Sequence, residues 1–228
     1  MMEGHIYKLF DEELRELKAK ILFEGSLVEK ALRNAIDALQ NRDSDLARRV
    51  IEDDDDINRN EVETEEFCLK LLALRQPAAK DLRFITTAIK INYDLERMAD
   101  MAVNLCERVL ELNMEPQLKP YIDIPQMAEI AQAMVKESLE AFVKEDVQLA
   151  WKVMNEDERV DHLTEQIFRE LLTYMSEDLR TISRGTRLLF ISKYLERLAD
   201  HAVNIAELVI FLVDGKIIRH TKYPVSSV

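Results

Sequence analysis

A thirteen-residue segment that returns after a hundred residues limits this chain to folds with two equivalent parts. LERMADMAVNLCE at 95–107 and LERLADHAVNIAE at 195–207 agree at nine positions. Glu96, Asp100, Asn104 and Glu107 reappear as Glu196, Asp200, Asn204 and Glu207. The likeness extends backwards, where ALQNRDSDLARRVIEDDDDIN at 38–58 aligns with AFVKEDVQLAWKVMNEDERVD at 141–161. The offset of 103 there becomes 100 in the motif, so a small length change separates the second and third segments of each copy. Two copies make a tandem duplication, not a solenoid.

Chain breakers are sparse, with only four Gly and five Pro, so each copy reads as long helices. The first helix is expected from about Ile6 to Asn41, with a turn at Asn41–Ser44 where Asp43 or Ser44 caps the second. That helix ends near Gln76–Pro77, and proline, suited to a first turn, opens a third that runs to about Asn113. EPQLKPYIDIP, with Pro116, Pro120 and Pro125, is the linker-like stretch. Helices then follow at about 125–144, 146–175 and 186–213, and Gly215 is placed as a left-handed C-cap. The tail from Lys216 shows no helical pattern. The expected fold is all-α: two tandem, similar three-helix bundles of six long helices, at 1–114 and 125–215, joined by a Pro-rich linker at 115–124.

The motif helices carry a bundle seam. Ala88, Ile91, Leu95, Met98, Ala102, Leu105 and Val109 alternate three and four apart, as do Leu188, Ile191, Leu195, Leu198, Ala202, Ile205 and Val209. At about 100° per residue, Glu96, Asp100 and Glu107 fall in one row beside this stripe, with Ala99 and Val103 bridging to it. The acids therefore sit at the border of the core. Like charges four apart repel, and partial burial sharpens the repulsion. A cation removes it, and carboxylates with an amide oxygen suit a hard ion such as Mg²⁺, Ca²⁺, Mn²⁺ or iron. Asp157 and Asp161 on the second copy's middle helix offer an opposite wall, and the matching first-copy positions are Asp54 and Asn58. The plainer alternative is a solvated row neutralised by Arg97, Arg197 and nearby lysines.

Composition closes other routes. A net charge of −13 argues against nucleic acid, whose phosphates need clustered Lys and Arg. The longest apolar run near the motif, LVIFLV at 208–213, is far short of a membrane span, and the N-terminal segment lacks a signal-peptide core. Cys68 and Cys106 form no CxxC pair and read as reduced core thiols, which suits a cytoplasmic protein. Among four histidines (His5, His162, His201 and His220), His201 points about 100° away from the acid row and His162 away from Asp161. No Glu-x-x-His, phosphate loop or nucleophile elbow occurs, and the run at 52–58 is a solvated face apart from Asp54 and Asn58.

LLALRQPAAKDLR at 71–83, DLERMAD at 94–100 and YLERLADHAVNIAE at 194–207 resemble PhoU, the phosphate-uptake regulator family, and the resemblance covers about residues 6–215. It implies two three-helix bundles, often dimeric, with multinuclear metal sites (iron, zinc, manganese or magnesium) on the bundle surfaces in some members. By its E/DxxxD motif the implied metal ligands are Glu96, Asp100, Glu196, Asp200, Asp157 and Asp161, with Asp54 beside an Asn58 that stands where an acid is expected. The loss of that charge predicts a weaker first site. The resemblance further implies an adaptor, not an enzyme. Its role would be to hold a phosphate-responsive sensor histidine kinase in its repressing state, and to restrain the phosphate ABC transporter by docking on the ATP-binding subunit. It would meet the membrane only through those partners. A carboxylate-bridged metal hydrolase or oxidase on the same rows is the competing reading, and a metal-free scaffold the third.

Overall fold

The computed structural model describes residues 2–218, with side chains from residue 9 onward. It consists of six long helices and one short turn: α1 Met2–Asn41, α2 Ser44–Arg75, α3 Ala79–Asn113, α4 Asp123–Lys144, α5 Val147–Glu177, a 3-10 turn at Leu179–Thr181, and α6 Ile182–Asp214. Among the described residues there is no β-strand, and no helix is long and apolar enough to cross a membrane. Residues 219–228, with His220 and most of the tail expected to be non-helical, lie outside the described residues, as does the side chain of His5.

The same chain reversal is built twice. The Asp43 carboxylate accepts from the N–H groups of Asp45 and Leu46 at 3.0 and 2.9 Å, and Asp146 accepts from Gln148 and Leu149 at 2.9 and 3.0 Å. Each satisfies two donors that a helix start leaves open. The preceding residues, Arg42 and Glu145, both take left-handed backbone, with φ of 56° and 53°. Arg42 Nη2 also donates to the carbonyls of Leu112, Asn113 and Glu115, so the α1–α2 turn closes the far end of α3.

Several helix boundaries depart from the sequence expectation, beginning with α1, which starts at Met2 and not near Ile6. Pro77 lies outside α3, after the left-handed Gln76 that ends α2, and the helix begins at Ala79. Helix α4 starts at Asp123, two residues early, with Pro125 inside its first turn where no N–H is needed. Helix α6 starts at Ile182, four residues early, and runs through Gly185, where a Cβ would lie 2.8 Å from Met175 Cγ. Gly215 ends α6 as expected, with φ 70° and its N–H on the Phe211 carbonyl at 2.9 Å.

Helices α1–α3 and α4–α6 are the two repeats, and their equivalent helices meet: α1 packs on α4 and α3 on α6. Helices α2 and α5 lie outside, each packing on the helices of its own repeat and on no helix of the other. Every residue of the two motif seams is buried, and one continuous apolar core crosses from repeat to repeat. The connecting segment is fastened to this body. Lys119 is buried and paired with Glu170, Arg184 Nη1 donates to the Pro116 carbonyl at 2.9 Å, and Arg187 binds Glu111 and Glu115. Cys68 and Cys106 are free and buried, and burial pushes both thiols up to about 12.

Candidate functional site

The four second-repeat acids share one electrostatic neighbourhood between α5 and α6. Burial, followed by the nearby Asp161, Asp200 and Glu196 carboxylates, pushes Asp157 up to about 7. Burial and then Glu196 raise Asp161, with Lys193 and His162 opposing; burial, Glu196 and Asp161 raise Asp200. Four carboxylates placed this close repel one another, which favours protonation in the row. Lys193 pairs with Glu196 at the rim, as the solvated-row alternative anticipates.

In the first repeat α2 and α3 bring Asp54, Glu96 and Asp100 together. Burial and then Asp100 raise Glu96, with Glu61 and Asp54 adding to the effect against Arg97. Burial raises Asp54 as well, against a hydrogen bond that Asn58 Nδ2 donates to its Oδ2 at 2.9 Å. Asn58 thus replaces a negative charge with a donor that occupies one of the neighbouring oxygens. Arg97 lies 3.1 Å from Asp100 and 3.4 Å from Glu96, with its guanidinium over the Tyr93 ring. The run around Asp54 is solvated as expected: Glu52, Asp53, Asp55 and Asp56 are exposed, while Asp54 is half-buried.

The remaining polar positions of the motif diverge. Glu107 is exposed and bound to Arg108, whereas Glu207 is buried. Asn104 donates to the Asp100 carbonyl, but Asn204 reaches across the repeats to Asp94. His201, set apart from its own acid row, also meets Asp94, Nδ1 to Oδ1 at 2.8 Å. Periodicity within one helix carries no signal for that contact. Two further acids, Glu24 on α1 and Glu61 on α2, lie near Glu96 and were not visible in the motif. The signal for Glu24 was an acid in an apolar seam position of the first helix.

The donor chemistry suits a hard cation. Asp54 Oδ1 is buried without a hydrogen-bond partner, an arrangement a cation would satisfy, whereas Glu96 Oε2, also without a hydrogen bond, faces Arg97 Nε at 3.4 Å. Among the described residues, however, no three His, Cys, Asp or Glu side chains already converge as a ready-made cage.

Two equivalent three-helix bundles, packed through equivalent helices and each carrying facing rows of acids, define a class of duplicated all-α protein. The PhoU domain family matches residues 21–109 and 124–209. The chain belongs to the PhoU family. It is 43% identical over 217 residues to the phosphate-specific transport system accessory protein PhoU homolog of Pseudomonas aeruginosa, spanning 95% of this chain and 90% of that one. The Escherichia coli protein, phosphate-specific transport system accessory protein PhoU, is 37% identical over 96% of this chain and 91% of its own. The crystal structure of PhoU from P. aeruginosa superposes with a TM-score of 0.88, covering 91% of this chain and 100% of that one. The phosphate transport system regulatory protein PhoU of Streptococcus pneumoniae, 33% identical, superposes at 0.86 over 91% of this chain and 98% of its own.

Proposed function

We propose that this chain is a cytoplasmic negative regulator of the phosphate-starvation response and of high-affinity phosphate uptake. It acts as a metal-binding adaptor between the ATP-binding subunit of a phosphate ABC transporter and a phosphate-responsive sensor histidine kinase. The observation that supports this reading is the pairing of near full-length similarity to phosphate transport accessory proteins with acid rows facing each other in both repeats. The protein works as a homodimer, by binding and not by turnover, and reaches the membrane only through its partners. An adaptor shifts a kinase equilibrium by binding one state more tightly than the other.

Asp157, Asp161, Glu196 and Asp200 would hold the metal in the second repeat, and Asp54, Glu96 and Asp100 in the first. A bound iron, zinc, manganese or magnesium ion would supply the positive charge that these rows lack. The residues' own part is to present oxygen ligands from two rigid helices. Deletion of the gene should leave starvation-responsive genes on in phosphate-rich medium, read by a reporter, and the wild-type protein should restore repression. Glu196→Ala/Asp200→Ala should lose the second-repeat metal in elemental analysis while circular dichroism stays helical. Full repression by a protein that co-purifies with neither kinase nor transporter subunit refutes the adaptor. Unchanged metal stoichiometry in the double variant refutes the site.

A further inference from the structure

A cleft of about 490 Å³ lies where the repeats join, and Glu61, Glu65, Lys90, Asn92, Tyr93 and His201 are among the residues that line it. It holds acceptors without donors. The Asn92 side chain is 1% exposed; its Nδ2 donates to the Glu61 carbonyl at 2.9 Å, while its Oδ1 has no hydrogen-bond partner. A buried amide oxygen in that condition has lost its hydration without a replacement. Glu61 and Glu65 are one helical turn apart, and among the described residues neither carboxylate has an ion pair. Lys90 turns its ammonium to the Phe211 ring instead, 5.9 Å from the centroid. Burial and then Glu65 raise the Glu61 carboxyl, with no cation opposing. The fold does not ask for this charge, since Thr164, Phe168 and Ser192 stand at the equivalent places of the second repeat.

The chain itself comes back to this cleft. Gly215 ends α6 in left-handed backbone, and Ile217 and Ile218 then lie in a hollow with Leu208, Phe211 and Lys90. Residues 217–218 thus sit beside 208–211, so the chain has doubled back along α6 in the direction of His201. Lys90 lines both the hollow and the cleft. From Leu208 to His201 the helix rises about 10 Å, which an extended chain covers in about three residues. Arg219, His220 and Lys222 come next in the sequence, and 219–228 contains no Asp or Glu.

We infer that the stretch 219–223 of the same chain docks in this cleft, setting its cationic side chains against Glu61 and Glu65 and an N–H donor on Asn92 Oδ1. Charge complementarity selects this occupant, because the cleft offers acceptors and the stretch offers donors. Docked there, it straps the second repeat to the first beside the Asp94–His201 contact. The inference is independent of metal binding and of the adaptor reading.

The test uses the full chain carrying Tyr93→Cys and Thr221→Cys, one cysteine on the cleft wall and one on the stretch. Cys68 and Cys106 are buried and do not compete. Mild oxidation of the dilute protein should close a disulfide within one chain, read as a faster band on a non-reducing gel. Adding Glu61→Gln and Glu65→Gln should slow its formation about fivefold or more, because two acid partners are lost. In the chain without added cysteines, the same Gln pair should speed trypsin cleavage after Arg219 and Lys222 by a similar factor. Circular dichroism shows that each variant is folded. Either rate left unchanged by the Gln pair overturns the inference. A disulfide that joins two chains overturns the assignment to the same chain and gives the cleft to a second copy.

Discussion

Replacing Glu24 with Met should stabilise the metal-free protein, by an amount that depends on pH in a defined direction. Glu24 is 0% exposed, neither of its carboxylate oxygens has a hydrogen-bond partner, and its folded-state pKa is raised from 4.5 to about 8, chiefly by burial. Below 4.5 the carboxyl is protonated in both folded and unfolded chains, and its titration contributes nothing. As pH rises from 4.5 to 8 the unfolded chain releases the proton while the folded chain keeps it, so wild-type stability falls throughout that window and levels off above it. At about 1.4 kcal/mol per pKa unit, the deficit at pH 7 is roughly 3 kcal/mol. For a chain of this size that corresponds to about 6–12 °C in melting temperature. Met127 fills the equivalent position in the second repeat, so the substitution should bring no packing penalty of comparable size. Thermal denaturation of both proteins in chelator, from pH 5 to pH 8, is the measurement. The variant should melt higher at pH 7, and the gap should widen steadily with pH. Equal midpoints at pH 7, or a gap that stays constant from pH 5 to 8, would refute the account of Glu24 as a carboxyl desolvated without a partner.

Three further substitutions probe the frame. Gly25→Val should destabilise the chain by about 1–3 kcal/mol, seen as a lower melting temperature, because a Cβ at Gly25 would already lie 2.3 Å from Leu139 Cδ1 where α1 meets α4. Asp43→Ala and Asp146→Ala should each cost about 1 kcal/mol in denaturant titration, and the double variant should cost about their sum, since the two caps serve separate turns.

Sequence reasoning reached the six helices because their punctuation is local. Asp43, Asp146 and Gly215 act on the backbone within a few residues and do so wherever the helix packs. The start of α6 was less legible: Gly185 lies inside the helix, its small size answers Met175 on α5, and nothing adjacent in sequence announces that. The acid rows were legible because a motif repeated at helical spacing fixes which face it occupies, and α5 does bring Asp157 and Asp161 to Glu196 and Asp200. Glu24 escaped because a single acid in an apolar seam becomes conspicuous only when the first helix is set against the fourth. The Asp94–His201 contact escaped because it depends on how one repeat lies against the other, which no period within a helix encodes.

The meeting of α1 with α4 and of α3 with α6 has a historical consequence. A surface in which each element faces its own counterpart is the surface that two copies of one smaller protein use when they pair about a two-fold axis. In such an ancestor every position serves on both sides, so a residue that helps at one crossing appears unavoidably at the other. Joining the copies into one gene removes that obligation. Asp94 now faces His201, while the symmetry-related positions carry Tyr194 and Met101, an ionisable couple on one side and an aromatic and a thioether on the other. The two copies, joined in one chain, have a left and a right.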